Sequence, residues 1–321
     1  MMYLAIGKLV AAFALASCTA AHGFIKTFTV DGVQYEGYDR GNLPPPPDAI
    51  GWSFTTPDEG AVLDMVSPDF ICRHGAEPSV NSAPVPAGGN VTFYWTSNDH
   101  VRNPDGWAPG HKGPILTYLA PCNGDCVTVD KSSLRWTKIA EAGLISGPSN
   151  TEGIWATDEM RANGGINSAT IPASIAPGNY VIRNEIIALH RAHLSEPEFY
   201  MQCGSISVTG SGNDKLADSG LPASELYSHE EKQIFGFSVH DSQEPTWTIP
   251  GPTLYQANSR DGKASAPDMD DSKTRKEDAA STVPTTFGTS TVSVTTVQAT
   301  HVRSSRPDPI ECGGRMSIFR A

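Results

Sequence analysis

Positive charge is scarce in this chain. Its 23 Lys and Arg stand against 35 Asp and Glu, a formal net charge of −12, so no basic surface is available to neutralise a phosphate backbone and nucleic acid is excluded as a general partner. Charge of either sign is also sparse, at 18% of residues against 39% hydrophobic, which excludes a chain that is disordered throughout. Long apolar runs are missing: beyond the first segment, nothing approaches the roughly 18 uninterrupted apolar residues that a membrane helix needs. Sustained helical periodicity is missing as well, while 30 Gly and 25 Pro punctuate the sequence. A helical bundle is therefore disfavoured, and short strands joined by turns are expected. The 321 residues suffice to bury a sizeable core in one or two domains.

The opening segment reads as an export signal. Lys8 supplies a sparse positive charge, residues 9–16 (LVAAFALA) an apolar stretch, and Thr19-Ala20-Ala21 a small-residue cleavage site, so segment 1–21 is expected to be removed and the mature chain to begin at His22. The expected product is a secreted, extracellular, soluble protein. A rival reading takes Leu15-Ala16-Ser17-Cys18 as a bacterial lipoprotein box, which would lipidate Cys18 and leave His22 internal.

Cleavage would discard Cys18 and leave Cys72, Cys122, Cys126, Cys203 and Cys312. In an oxidising compartment these are read as disulfides. Cys122 and Cys126 flank a Gly-Asp turn signal in PCNGDC and can close a small loop, which leaves Cys72 to pair with Cys203 as a long-range staple and Cys312 over. A zinc site is the alternative, but the CxxxC spacing lacks a matching second pair.

Candidate strands lie at 23–30, 91–96 (VTFYWT, with alternating Val91, Phe93 and Trp95), 114–119, 180–189 and 205–209, separated by loops rich in Gly, Pro, Asn and Asp. Such spacing predicts an all-β, antiparallel sandwich with long loops over 22–255. Composition then changes: 256–277 is polar and charged, and eleven of the twenty residues 281–300 are Ser or Thr. Segment 256–321 is accordingly expected to be a disordered, O-glycosylated tail.

The positions that can carry chemistry are few. A histidine created as the first residue offers an α-amine and an imidazole nitrogen together, a metal chelate once both are deprotonated. Its companion is His111, in His111-Lys112-Gly113-Pro114 after a loop containing Trp107. From here the sequence resembles a family. His22-Gly23-Phe24 after a signal segment, Ser67-Pro68-Asp69-Phe70-Ile71-Cys72, the HKGP motif followed by Tyr118-Leu119-Ala120, Ile171-Pro172, Pro177-Gly178-Asn179-Tyr180, Ile187-Ala188-Leu189-His190, and Phe199-Tyr200 before Cys203 occur in the order seen in fungal, cellulose-active lytic polysaccharide monooxygenases of auxiliary activity family 9. The resemblance spans about 22–255.

That resemblance implies an immunoglobulin-like or fibronectin-like sandwich with a flat substrate face and one copper ion. The amine and ring of His22 with the ring of His111 would form a three-nitrogen brace, Tyr200 would take the axial position, and His190 would stand beside the oxygen-binding position. Imidazole and amine donors suit Cu(II). Tyr38 and Tyr255 lie where the family presents flat rings to polysaccharide, although either can be an ordinary packed tyrosine. Rings of this kind stack on the apolar faces of sugars. The chain departs from the family pattern at Glu198, where Gln is usual; an ionised carboxylate only accepts hydrogen bonds and adds negative charge. Asn184, where His is common, is a smaller departure. Asn90-Val91-Thr92 is an N-glycosylation sequon. His190 and His193 form an HxxH that can be a second metal site or simply a surface pair, and Glu311-Cys312-Gly313-Gly314 resembles the opening of a small cellulose-binding module and is read as a remnant.

The expected function is copper-dependent oxidative cleavage of cellulose or a related β-1,4-glucan at C1 or C4. An external electron donor and O2 or H2O2 would serve as co-substrates, and the chain would be monomeric with no membrane partner. The alternatives are a non-catalytic copper- or glucan-binding secreted protein and a β-1,4-glucan hydrolase, which needs an opposed carboxylate pair that no motif here marks.

Overall fold

A computed structural model describes residues 23–39, 44–55, 60–101, 103–216 and 220–257. Segment 1–21, His22 and nearly all of the expected tail, Cys312 included, lie outside the described residues. Eleven strands are described: β1 (Phe24–Val30), β2 (Val33–Glu36), β3 (Ala83–Pro86), β4 (Asn90–Thr96), β5 (Ile115–Pro121), β6 (Thr137–Ala142), β7 (Leu144–Ser146), β8 (Ile154–Trp155), β9 (Ile166–Thr170), β10 (Gly178–Ala188) and β11 (Glu198–Thr209), with a single α-helix among them, α1 (Ala156–Ala162).

Two sheets form the sandwich. One has the order β2-β1-β4-β9 and the other β3-β11-β10-β5-β6, while β7 and β8 pair separately. All pairings are antiparallel except β11 with β3. β1 turns into β2 through Asp31-Gly32, both at positive φ (46° and 85°), the two-residue turn whose twist matches that of the strands it joins. Phe28, Val91, Phe93 and Trp95 from the first sheet meet Ile182, Ile186, Ile206 and Val208 from the second in one core.

The second sheet is covered on its other face too. Val181, Ile187, Leu189, Phe199 and Met201 point there, against Trp52, Phe70, Trp136, Trp155, Tyr227 and Phe235, contributed mostly by connecting segments. β10 is therefore buried on both faces along nearly its whole length, and on either side of Arg183-Asn184-Glu185 its apolar residues run on without alternation, as in strands covered on both sides. The expected strand 205–209 is only the last part of β11, which starts at Glu198.

Burial on both faces leaves the polar residues of β10 to be satisfied inside. Arg183 and Glu185, fully buried on the outer face, form a bidentate pair at 2.9 and 2.8 Å. Arg183 also donates to the carbonyls of Ile71 and Phe70 at 2.9 and 3.2 Å, and Tyr227 donates to Glu185. Asn184 faces between the sheets, accepting from the Trp95 indole at 2.8 Å and donating to Thr117 at 2.9 Å. Among the described residues two disulfides are present, Cys72 to Cys203 and Cys122 to Cys126. Among the described residues no helix is long and apolar enough to cross a membrane.

Removing one partner of a buried ion pair strands the other charge in a dry site. Glu185→Gln should therefore destabilise the fold by about 3 kcal/mol, read as a lower urea midpoint with an unchanged slope. A loss below about 1 kcal/mol, the scale of an exposed ion pair, would contradict this account of the network.

Candidate metal centre

The loop ending in HKGP delivers His111 against the exit of β10. The Trp107 indole donates to the His111 carbonyl at 3.0 Å, and the Leu189 N–H donates to the Lys112 carbonyl at 2.9 Å. Gly113 is required here, because a Cβ at that position would lie 1.9 Å from the Ile187 carbonyl oxygen. The Lys112 ammonium is held by Asp158 at 2.7 Å.

β10 ends at Ala188, and two residues later His190 meets His111 ring to ring, with centroids 4.1 Å apart and planes 28° apart. Because Ala188 pairs with Glu198, the first side chain of β11 rises beside the two rings. Glu198 Oε2 lies 3.5 Å from His111 Nε2, and its Oε1 lies 3.4 Å from His190 Nε2. Tyr200, two residues along and on the same strand face, donates its hydroxyl to Glu198 Oε2 at 2.6 Å. This is the short, charge-assisted bond of the group. Tyr200 itself is fully buried and its ring stands edge-on to Trp107 at 5.0 Å.

The ligand-type atoms of His111, His190 and Glu198 all lie within 4.8 Å of one another, and among the described residues no other set of three His, Cys, Asp or Glu does so. His111 is buried, whereas His190 and Glu198 are partly exposed, so the centre opens at a surface. Burial pushes the Glu198 carboxyl up, but the hydrogen bonds from His190 and Tyr200 and the charges of His190 and His111 outweigh it and draw the carboxyl down to about 2. Glu198 is thus an acceptor at ordinary pH, with the Tyr200 hydroxyl on its Oε2 and His190 Nε2 facing its Oε1. The other ring nitrogen, His190 Nδ1, is buried without a hydrogen-bond partner.

The structure brings four of the expected site residues together: His111, His190, Glu198 and Tyr200. His22 lies outside the described residues, and Gly23 is the nearest described position: a Cβ there would fall 2.9 Å from the Trp107 ring. Tyr38 is half-buried with its ring edge-on to Phe54 at 5.1 Å. Tyr255 is half-buried. Its hydroxyl donates to Asp214 at 2.6 Å and meets Ser174 at 2.8 Å, beside the Ile175–Asp214 bridge, near the start of β10 and away from its His190 end. The His193 ring stands 5.4 Å from that of His240. Asn90 is exposed at the start of β4. Gly113 and the wedge formed by Trp107 were not legible as site elements, although the Gly inside HKGP was the available signal.

Comparison with known proteins gives a consistent result. The family model for Auxiliary Activity family 9 (formerly GH61) matches residues 22–247. The chain is 44% identical over 250 residues to AA9 family lytic polysaccharide monooxygenase B of Aspergillus fumigatus, covering 76% of this chain and 95% of that protein. It is 42% identical over 240 residues to AA9 family lytic polysaccharide monooxygenase A of Thermoascus aurantiacus, covering 73% and 99%. Among solved structures, the extended catalytic domain of H. jecorina LPMO9A aligns with a TM-score of 0.66 at 37% identity, covering 74% of this chain and 92% of that one.

A carboxyl whose folded pKa lies below its unfolded value, near 4.3 for Glu, contributes stability that is present above the unfolded value and is lost as pH falls through the folded one. For Glu198 that window runs from about 4.3 down to about 2. In metal-free protein, Glu198→Gln should cost about 1–3 kcal/mol at pH 5, and the difference from wild type should shrink as pH falls below about 4. Urea melts in the presence of a chelator measure this; a difference that stays constant from pH 6 to 2 would contradict an ionised Glu198.

Proposed function

The chain belongs to Auxiliary Activity family 9 and is an enzyme of oxidative polysaccharide cleavage; from that premise we propose that copper is its metal and that cellulose or a related β-1,4-glucan is its substrate. The reading rests on the meeting of His111, His190, Glu198 and Tyr200 at the end of the sandwich where Gly23 enters β1. Gly23 follows His22, and its tight approach to Trp107 supports a His22 amine and ring beside His111 Nε2. The donors fit copper: imidazole and amine nitrogens with a phenol oxygen nearby suit Cu(II), whereas a site for Mg or Ca would be built of oxygens.

Copper held by His22 and His111 would supply the one-electron chemistry that activates O2 or H2O2 after reduction by an external electron donor, leading to hydroxylation at C1 or C4 and scission of the glycosidic link. The chain's own residues set the surroundings. Tyr200 donates its hydroxyl hydrogen to Glu198, so its oxygen lone pairs stay available as an acceptor, and its burial beside Trp107 holds the ring in one place and keeps water from it. Glu198, facing His190 Nε2 at 3.4 Å, orients the His190 ring on the open side beside His111. Because His190 and Glu198 are partly exposed, the centre can approach a polymer surface without a deep cleft, with Tyr38 as a contact for a sugar ring.

Export with removal of segment 1–21, a catalytic domain over 22–255, a glycosylated tail beyond it and glycosylation at Asn90 complete the reading. Export is a condition of the chemistry, since only cleavage creates the amine of His22.

Incubation with cellulose, a small reductant and copper should yield aldonic acids or 4-keto sugars, and native reducing ends alone would instead indicate a hydrolase. His111→Ala should abolish both copper binding and oxidised products. His190→Ala should keep copper binding and lower the rate of oxidised product formation by about 10–100-fold. A protein that binds copper tightly but forms no oxidised product would be a binding protein, contrary to the proposal.

A further inference from the structure

Gly23, the residue that follows His22, is held on every side. Its carbonyl accepts from Arg73 Nη1 at 3.0 Å, and Arg73 Nη2 donates at 3.2 Å to the carbonyl of Gly60. A Cβ at Gly23 would lie 2.9 Å from two carbons of the Trp107 ring and 3.0 Å from the Thr96 carbonyl oxygen. Two residues on, the Ile25 N–H donates to Gln202 Oε1. This bond falls where the register of β1 on β4 shifts, between Ile25 and Thr27.

Arg73 is an expensive way to hold a carbonyl. Only 1% of the residue is exposed, and removing a guanidinium from water carries a large desolvation cost. Its backbone stands at φ +90°, a left-handed conformation that non-glycine residues adopt only where their surroundings impose it. The guanidinium is centred 4.6 Å over the Phe54 ring. A planar fork can bridge two carbonyls at fixed angles, which an ammonium cannot.

The placement of the two side chains is the informative point. Arg73 adjoins Cys72 and Gln202 adjoins Cys203, and these two cysteines form the long-range disulfide. β11, which carries Gln202 and Cys203, also carries Glu198 and Tyr200. One cross-link therefore joins β11, which bears Gln202 and part of the candidate centre, to the segment bearing Arg73, and the two side chains grip the start of β1.

We propose that Arg73 and Gln202, locked together by the Cys72–Cys203 disulfide, are positioning residues that hold Gly23 and Ile25 so that the chain's first residue is presented to the metal in a fixed geometry. The inference rests on the copper reading above. A ligand at a free chain end must otherwise be ordered when the metal binds, and ordering one residue's backbone costs about tenfold or more in affinity. The clamp meets that cost during folding.

The test uses the full mature chain with its native N-terminus. Arg73→Met keeps the stem over Phe54 and removes both donors, Arg73→Lys retains a single point donor, and Gln202→Leu removes the acceptor for Ile25. Tyr118→Phe, which loses a buried hydrogen bond to Tyr227 on the outer face of the second sheet, serves as the control for general destabilisation. Three quantities are read: amide hydrogen exchange over residues 23–26 in metal-free protein, Cu(II) affinity against a competing chelator, and the Cu(II) EPR spectrum. Arg73→Met and Gln202→Leu should each exchange about tenfold faster at the start of β1 and bind copper about tenfold more weakly, with an EPR spectrum broadened by several geometries. Arg73→Lys should fall between these and wild type, and Tyr118→Phe should match wild type in all three. Should Arg73→Met fail to fold, Arg73→Lys and Gln202→Leu carry the same comparison. Variants with wild-type affinity and spectrum, set against a wild-type protein that binds copper, would overturn the clamp alone; a wild-type protein that binds no copper would overturn the copper reading and the clamp with it.

Discussion

The rest of the structure depends on the pairing of β10 with β11. Its register runs from Gly178 opposite Val208 to Ala188 opposite Glu198, and it fixes which residues emerge at the end of the sandwich. His190 leaves β10 just past that last pair, and Glu198 and Tyr200 open β11 on one face of the strand. A slip of one residue would turn Glu198 and Tyr200 to the opposite face of the sheet. The site is thus a consequence of strand register, and the register is enforced by burial on both faces of the two central strands.

Burial on both faces imposes a second requirement, that every polar group on these strands find a partner within the protein. Arg183 with Glu185 on one face of β10, Asn184 on the other, and Gln202 on β11, against Ile25 of β1, each meet it with named hydrogen bonds. These bonds are directional where apolar packing is not, so they specify how loops and strands sit on the sheet as well as contributing stability. Arg183 ties the segment of Phe70 and Ile71 to the sheet, Tyr227 ties the C-terminal segment, and Asn184 links the two sheets through Trp95. Trp95 stands edge-on to Trp107 at 5.6 Å, and Trp107 carries the loop that holds His111.

Much of this was legible in the sequence where chemistry and pattern coincide. The HKGP motif, the local CxxxC pair and the alternation of Val91, Phe93 and Trp95 each carry a physical signal that survives without a structure. The first half of β11 did not read as a strand, because Glu198, Gln202, Cys203 and Gly204 are residues chosen for ionisation, hydrogen bonding, cross-linking and close packing rather than for strand propensity. β2 was also missed although Asp31-Gly32 marks its turn, since Val33 to Glu36 offers too short and exposed a pattern. The outer core could not be read at all: Trp52, Phe70, Trp136 and Phe235 come from segments with no period of their own and converge only once the sheet is formed. Tyr255 was legible as an aromatic after a Pro-Gly-Pro turn, but its direction depends on Asp214 and Ser174, which are distant in sequence. The low carboxyl pKa of Glu198 likewise arises from His111, His190 and Tyr200 meeting in space.

The central claim is that the chain's own first residue completes the metal centre begun by His111. The most direct measurement is a Cu(II) titration that compares protein beginning at His22 with protein carrying one additional glycine before it, both otherwise identical and both folded. The extension converts the α-amine of His22 into an amide, which lacks a free pair for the metal at neutral pH, while leaving both imidazoles in place. The account predicts that affinity falls by at least about a hundredfold for loss of one strong ligand nitrogen and that the EPR signature of three-nitrogen coordination disappears. Equal affinity and an unchanged spectrum in the extended protein would contradict it.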